Sequence, residues 1–492
     1  MDLKMKKYKF LVSTVSLVLS FCVLSNPVGA QTENITLKDM TRLAIKRSFD
    51  IQLARFDAQI SQADKIAAKS IYDLMFNTEA NYHRDKNKRT STIFGTTIED
   101  RVYSAALSQK TTTGTTIGVD ISNNRNASNS NFATSSVTHE TVLGVSIQQD
   151  LGRNLFGIQD RGDVRIRLND IRSSEYTSLD KIEAIIAETQ ISYWDLVLQN
   201  ERIAIEKDMV EAAKKLYDLH EEKLADGLVE LAEAIASEAN YRKRQDELSL
   251  AQNLAEEKRN TLNLLLNIDD GTTIEPADGF KDAVSVVDVA TSLKSAFEQR
   301  NDYKWIQNDL KSKYILVKMK KQSLWPEINL TASYKRNGLG DGFSESFENA
   351  SGDEDNPDYS ADVSIEFPLQ NRAARAALTE AKLTEARQLV AFKSLERQIV
   401  LTIMNKVRDV NVYSEIAKSR GNVADLQEKK FLEEEKRFSK GRSNTDTLIR
   451  FQEDMIQARL SKAQADYAYH VALVNLNKEE GSLLKEYWNE EF

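Results

Sequence analysis

The 492-residue chain has one cysteine, five prolines and eighteen glycines, and aromatic residues make up only 8% of it. A single thiol excludes an intrachain disulfide framework. So little proline and glycine excludes a string of loop-rich β modules and leaves room for long unbroken helices. A formal charge of -9 excludes the basic field that grips a phosphate backbone, so nucleic acid is not an expected partner. Beyond the N-terminus there is no apolar run near 20 residues, which excludes a membrane-spanning helix from the rest of the chain.

The N-terminus supplies what is there to begin with. Lys4, Lys6, Lys7 and Lys9 precede the apolar run Phe10 to Leu24, and Val28-Gly29-Ala30 offers small residues for cleavage. Residues 1–30 therefore read as a secretory signal peptide, and the exported chain is expected to begin at Gln31. Cys22 leaves with the signal, and Phe21 before it does not suit lipid attachment.

The chain repeats itself. The stretch from Leu37 matches the stretch from Val289 at an offset of 252, pairing Ala44 with Ala296, Asp50 with Asp302, Asp57 with Asp309 and Tyr82 with Tyr334. Val145-Ser146-Ile147 matches Val363-Ser364-Ile365 at 218, so the first half carries 34 extra residues between Tyr82 and Val145. Gly227 pairs with Gly441 at 214. The predicted organisation is a first repeat over 31–270 (helix 37–75, strands 76–149, helical hairpin 163–267), a linker over 271–284, and a second repeat over 285–492 (helix 285–323, strands 326–368, helical hairpin 371–487).

Period-two alternation marks six strands, at 76–83, 101–110, 115–122, 143–148, 328–335 and 359–367. In the last, Tyr359, Ala361, Val363, Ile365 and Phe367 share one face while Ser360, Asp362, Ser364 and Glu366 share the other. One apolar and one polar face suit an outer-membrane barrel; a soluble half-buried sheet is the plainer alternative. The helices favour the barrel. Residues 163–226 contain no glycine or proline, and one helix of that length would reach about 95 Å. Ile182, Thr189, Leu196, Ile203, Val210, Tyr217 and Leu224 fall seven apart, and Ile191, Leu198, Ile205, Ala212 and Leu219 form a second line about 154° away. Two such seams suit a helix with a neighbour on each side in a cylindrical wall. Ile403, Val410, Ala417, Ala424, Phe431 and Phe438 repeat the first seam, whereas Asn405, Ser419 and Glu433 interrupt the second.

Two polar elbows, "ADGLVELAE" at 225–233 and "KGRSNTDTL" at 440–448, follow the long helical runs. With the opening "LKDMTRLAIKRSFD", the "LWPEINLTASY" and "VSIEFPLQNRAARAAL" segments and the duplication, the chain resembles the TolC-type outer-membrane efflux proteins over nearly its whole exported length. The resemblance implies a mostly α fold with β: a homotrimer whose duplicated repeats form one transmembrane β-barrel continued by a long periplasmic α-helical barrel. It implies a passive exit duct for a tripartite efflux or type I secretion system, working with a periplasmic adaptor and an inner-membrane transporter and seated in outer-membrane lipid. The elbows, Asp226, Gly227 and Leu228 in one and Lys440, Gly441 and Arg442 in the other, would be the adaptor-contacting tips. Asp226 and Lys440 stand where the family usually has a small apolar residue. Asp446, in a D-x-L pattern, and Glu233 would be periplasmic gate residues; for Asp446 the equal alternative is a Ser443-x-x-Asp446 capping box. The strands at 101–110 and 115–122 leave twelve or eighteen barrel strands open.

Other features read plainly. His139-Glu140 and His220-Glu221 begin a zinc-protease pattern but meet Leu143 and Leu224 where the second histidine belongs, so no metal is expected. Gly338, Gly340 and Gly342 form a glycine-rich stretch without the following helix and lysine that phosphate binding requires, and read as loop. Asp353, Glu354, Asp355 and Asp358 are a solvated loop or a cation-bridging site, and the terminal Phe492 follows no strand alternation. No nucleophile, base and orienter occur together, so neither enzyme nor cofactor is expected. The alternative function is a periplasmic coiled-coil adaptor or structural rod.

Overall fold

The computed structural model describes residues 31–88, 90, 93, 95–130, 135–268, 272–280, 286–352, 357–485 and 487. The signal segment 1–30, the acidic residues 353–355 and Phe492 lie outside them. Among the described residues no helix is long and apolar enough to cross a membrane.

Four long helices dominate. α3 (Ile158–Ala225) and α8 (Arg372–Ser439) each run for 68 residues, about 100 Å, and α4 (Leu231–Leu266) and α9 (Thr445–Glu480) each run for 36. Both pairs are related by the same offset of 214 that relates Gly227 to Gly441. α4 folds back on α3 and α9 on α8, and α9 also packs against α3, so the two hairpins form one layer in the order α4, α3, α9, α8. The seam at Ile403, Val410, Ala417, Ala424 and Phe431 is buried, as its spacing implies. In α3 the buried stripe toward the tip is instead Ile205, Met209, Ala213, Leu216 and His220, with Leu219 exposed. Ile182, Thr189 and Leu196 of the first line and Ile205 of the second are buried as their spacing implies, and the departure nearer the tip arises because the stripe there steps by 3 and 4 residues. On the flanks of the layer, α4 exposes Leu231, Ile235 and Leu250, and α8 exposes Val390, Leu401 and Leu426.

The six strands make one antiparallel sheet in the order β2 (Met75–Asp85), β3 (Ile98–Lys110), β4 (Thr115–Ser128), β5 (Val137–Asp150), β7 (Glu327–Gly340), β8 (Pro357–Glu366). The insert β3–β4 lies within the sheet, paired on both sides. Register keeps faces consistent: Phe76 opposes Leu107, Leu107 opposes Val119, Val119 opposes Val145, and Val145 opposes Tyr334. The opposite face carries Asn77, Ala106, Asp120, Gly144 and Lys335 on a neighbouring row. β2 and β8 are the free edges, and Phe76, Tyr82, Tyr359, Val363 and Ile365 on them are exposed.

Several predicted boundaries are corrected. The helix expected over 37–75 is divided into α1 (Leu37–Arg47) and α2 (Phe49–Ala67), and that over 285–323 into α5 (Val289–Gln299) and α6 (Asn301–Gln322). Both breaks fall at one extended residue, Ser48 (ψ 127°) and Arg300 (ψ 127°), with no glycine or proline to announce them. Arg300 is held there by Asp302 and Glu479, at 2.7 and 2.5 Å. The linker 271–284 contains β6 (Thr272–Pro276), which pairs in parallel with β1 (Gln31–Ile35). The glycine-rich loop is not a loop: Gly338 and Gly340 lie in β7, and α7 (Phe343–Ser351) follows. α7 rests on the two glycines so closely that a Cβ on Gly338 would come within 2.2 Å of the Ala350 nitrogen.

The body between sheet and tips is a buried core of α1, α3, α4 and β6 on one side (Ile45, Ile186, Leu196, Leu262) and of α5, α8 and α9 on the other (Ala296, Ile403, Val407, Leu476). Ala44 and Ala296, paired in the repeat, are both fully buried. Glu183 of α3 is buried here, accepting from the Leu483 amide at 3.0 Å, and burial pushes its pKa up to about 7.

Candidate functional site at the two elbows

Each long outgoing helix ends in the same backbone device. At the first elbow the Gly227 amide donates to the Leu224 carbonyl (3.0 Å) and the Leu228 amide to the Lys223 carbonyl (2.8 Å). At the second, Gly441 donates to Phe438 (2.9 Å) and Arg442 to Arg437 (2.9 Å). These are Schellman caps, with glycine at φ +68° and +71°. A Cβ on either glycine would meet nothing within 4 Å, so the left-handed backbone alone calls for glycine.

The next helices begin differently. α9 is capped by Asn444, whose Oδ1 accepts from the Thr447 amide at 2.8 Å. This corrects the capping box. Ser443 is not the cap residue but donates its hydroxyl to Glu434, and Asp446 is exposed in the first turn with no side-chain partner among the described residues. α4 has Glu230 at its N-cap position, without a side-chain cap. Glu233 stands in its first turn, half-buried beside His220, and no hydrogen bond or ion pair joins it to Asp446.

All six elbow residues, Asp226, Gly227, Leu228, Lys440, Gly441 and Arg442, are exposed. Their chemistry is not the same. The first elbow continues into an exposed apolar ridge, Leu228, Leu231 and Ile235, whereas the second presents Lys440 and Arg442. Sequence reading missed Leu231 and Ile235, although the steps of three and then four from Leu228 to Leu231 to Ile235 were the available signal. Behind the elbows a small core of Ile205, Met209, Leu216, Phe431, Leu448 and Met455 locks α3, α8 and α9 together. His220 is buried at its end, edge-on to Phe438 at 6.1 Å, and burial holds its pKa below the ordinary value.

No protein-family model matches the chain, and no curated protein matches it in sequence. Solved structures do match over almost their full length. The chain is similar to CusC, described in a crystallographic study of folding and transmembrane channel formation (13% identity, TM-score 0.68, 93% of this chain and 95% of that one). It is similar to the CmeC outer membrane channel of Campylobacter jejuni (15%, 0.66, 95% and 94%). The open state of the MtrE outer membrane channel of Neisseria gonorrhoeae gives 15%, 0.65, 91% and 89%. The fold of this chain is that of these channels.

Proposed function

We propose that the chain is a TolC-type outer-membrane efflux protein, a passive duct through which an inner-membrane transporter and a periplasmic adaptor discharge substrate to the exterior. The observation that carries this reading is that sheet and helical layer are both unfinished in the same way. The sheet has two unpaired edges, β2 and β8, and the layer has two flanks, α4 and α8, that expose leucine and valine. A further copy on each side would pair the edges and cover the flanks at once. Three copies would close a ring of twelve long helices and a barrel of eighteen strands, because each chain contributes a six-stranded sheet that includes β3 and β4. A barrel abolishes the edges that would otherwise template aggregation.

The apolar face of the sheet would then meet lipid, and the polar face the lumen. The elbows would lie at the periplasmic mouth, where adaptor hairpins dock on the apolar ridge of the first and the basic pair of the second. The adaptor or rod alternative has no use for a sheet with one apolar and one polar face, which supports the duct. The mature chain should fractionate with the outer membrane, resist salt extraction, and form discrete ion-conducting channels in planar lipid bilayers. Release by osmotic shock or salt, without conductance, would overturn the duct in favour of the rod.

A further inference from the structure

We propose that the apolar face of the sheet, at the end far from the long helices, carries a binding site for the phosphate headgroup of an outer-leaflet lipid, one site per chain. The proposal rests on the reading that this face meets lipid. It starts from one row of the sheet. Tyr82 opposes Arg101, Arg101 opposes Arg125, Arg125 opposes His139, and His139 opposes Gly340, so arginines on two adjacent strands stand side by side on the otherwise apolar face. Arg84, two residues on from Tyr82 along β2, shares that face.

One carboxylate serves all three arginines. Arg101 binds Glu99 through Nε and Nη2 at 3.0 and 2.7 Å. Arg125 Nη1 is 3.6 Å from Glu99, beyond hydrogen-bonding distance, and is buried with no hydrogen-bond partner among the described residues. Arg84 Nε is 4.0 Å away. Three guanidinium groups around one carboxylate leave an excess of two positive charges where an apolar band gives way to polar residues. Such an excess is unfavourable at a low-dielectric border unless an anion joins it. The planar fork of arginine matches phosphate oxygens, and arginine is more weakly hydrated than lysine, which suits a headgroup rather than bulk water.

The surroundings point to a lipid as the source of the phosphate. Further down the same face a groove of about 500 Å³ is lined mostly by apolar side chains such as Leu107, Val119, Leu143 and Val145, with Arg336 and Asp120 also in its lining and Ala350 and Ser351 of α7 at its rim. It has the chemistry of an acyl-chain slot. α7 itself lies on this face, seated on Gly338 and Gly340, with Ser346 hydrogen-bonded to Thr141 and Asn123 beneath it. Its Phe343 and Phe347 stack on each other and stay exposed, as aromatic groups do at a membrane interface. Cationic headgroup site, apolar groove and interfacial aromatic pair thus share one face.

The test uses the full exported chain purified in mild detergent and native mass spectrometry, with bisphosphorylated lipid A, its dephosphorylated form and inorganic phosphate as probes. Retention of the phosphorylated lipid at up to one copy per chain is expected, with little retention of the dephosphorylated form. The double variant Arg84→Gln/Arg125→Gln, which keeps the Arg101–Glu99 pair, should bind roughly tenfold more weakly or worse, since each charged hydrogen bond lost is worth about that factor. Glu99→Gln, which removes the carboxylate that faces all three arginines, should bind more tightly, an outcome that misfolding cannot mimic. Equal retention of both lipid forms, unchanged binding in the arginine variant, or displacement by millimolar inorganic phosphate would overturn the lipid site. Failure of the wild-type chain to enter bilayers would instead sink the duct reading.

Discussion

The imidazole Nε2 of His220, in the last turns of α3, lies 3.3 Å from the hydroxyl of Thr445, the first residue of α9, and both side chains are buried. This contact ties one hairpin to the other just behind the elbows. Burial disfavours the charged imidazole, Lys223 adds to that effect, and Glu233 opposes it; the net pKa is depressed. A depressed histidine pKa means that the unfolded chain takes up the proton more readily, so stability is present above about pH 6.5 and is lost as pH falls through the folded value. The His220 contribution to the thermal midpoint should therefore drop between pH 7.5 and 5.5, against an opposite contribution from Glu183. His220→Gln should flatten that drop, and an equal pH dependence in the variant would clear His220 of the role.

Asp446 is exposed in the first turn of α9, whose cap is Asn444. Three copies of an exposed carboxylate converging on a narrow mouth would raise local cation concentration. Asp446→Asn should lower cation selectivity and weaken block by trivalent cations in single-channel recordings, with thermal stability nearly unchanged. Asn444→Ala should behave in the opposite way, costing about 1 kcal/mol of stability and leaving selectivity alone. Unchanged selectivity in Asp446→Asn would remove it from the gate.

Glu183 gives a second pH effect of opposite sign. Its folded pKa is raised from 4.5 to about 7, mainly by burial, against the Leu483 amide that favours the charged form. A raised carboxyl pKa means that its contribution to stability is intact below about pH 4.5 and is lost as pH rises through 7. Glu183→Gln keeps an acceptor for the Leu483 amide and removes the charge. It should raise stability at pH 8 by up to about 3 kcal/mol and change it little at pH 4.5. Chemical denaturation at the two values reads this directly.

Gly227 and Gly441 should be sensitive to backbone conformation and indifferent to size. Alanine at either position should cost about 1–2 kcal/mol through the left-handed φ, and asparagine less. Since a Cβ has open space at both sites, equal losses for alanine and asparagine would mean that some contact other than backbone strain decides the cost.

The long elements were readable because each declares itself many times over. A seam such as Ile403, Val410, Ala417, Ala424 and Phe431 repeats its signal at every second turn, and strands such as Pro357–Glu366 alternate without exception. The features that escaped are specified only once. β1 and β6 are five residues each, and their parallel pairing joins positions 241 apart. α7 was hidden because glycines flank it, yet two of those glycines are there to seat it. The break at Arg300 has a tertiary partner in Glu479, which no local pattern reveals. At the second elbow, Ser443 and Asn444 are both good cap residues, and the choice between them falls to the register of the preceding turn.

The matched lengths of α3 with α8 and of α4 with α9 make reach a dimension written twice in one gene. Adding a heptad to a single hairpin would carry its elbow about 10 Å past the other, so the rim that meets a partner would no longer be level. In the proposed duct any change of reach would have to be copied into both halves together, and relatives with a different reach should differ by equal insertions in the two hairpins.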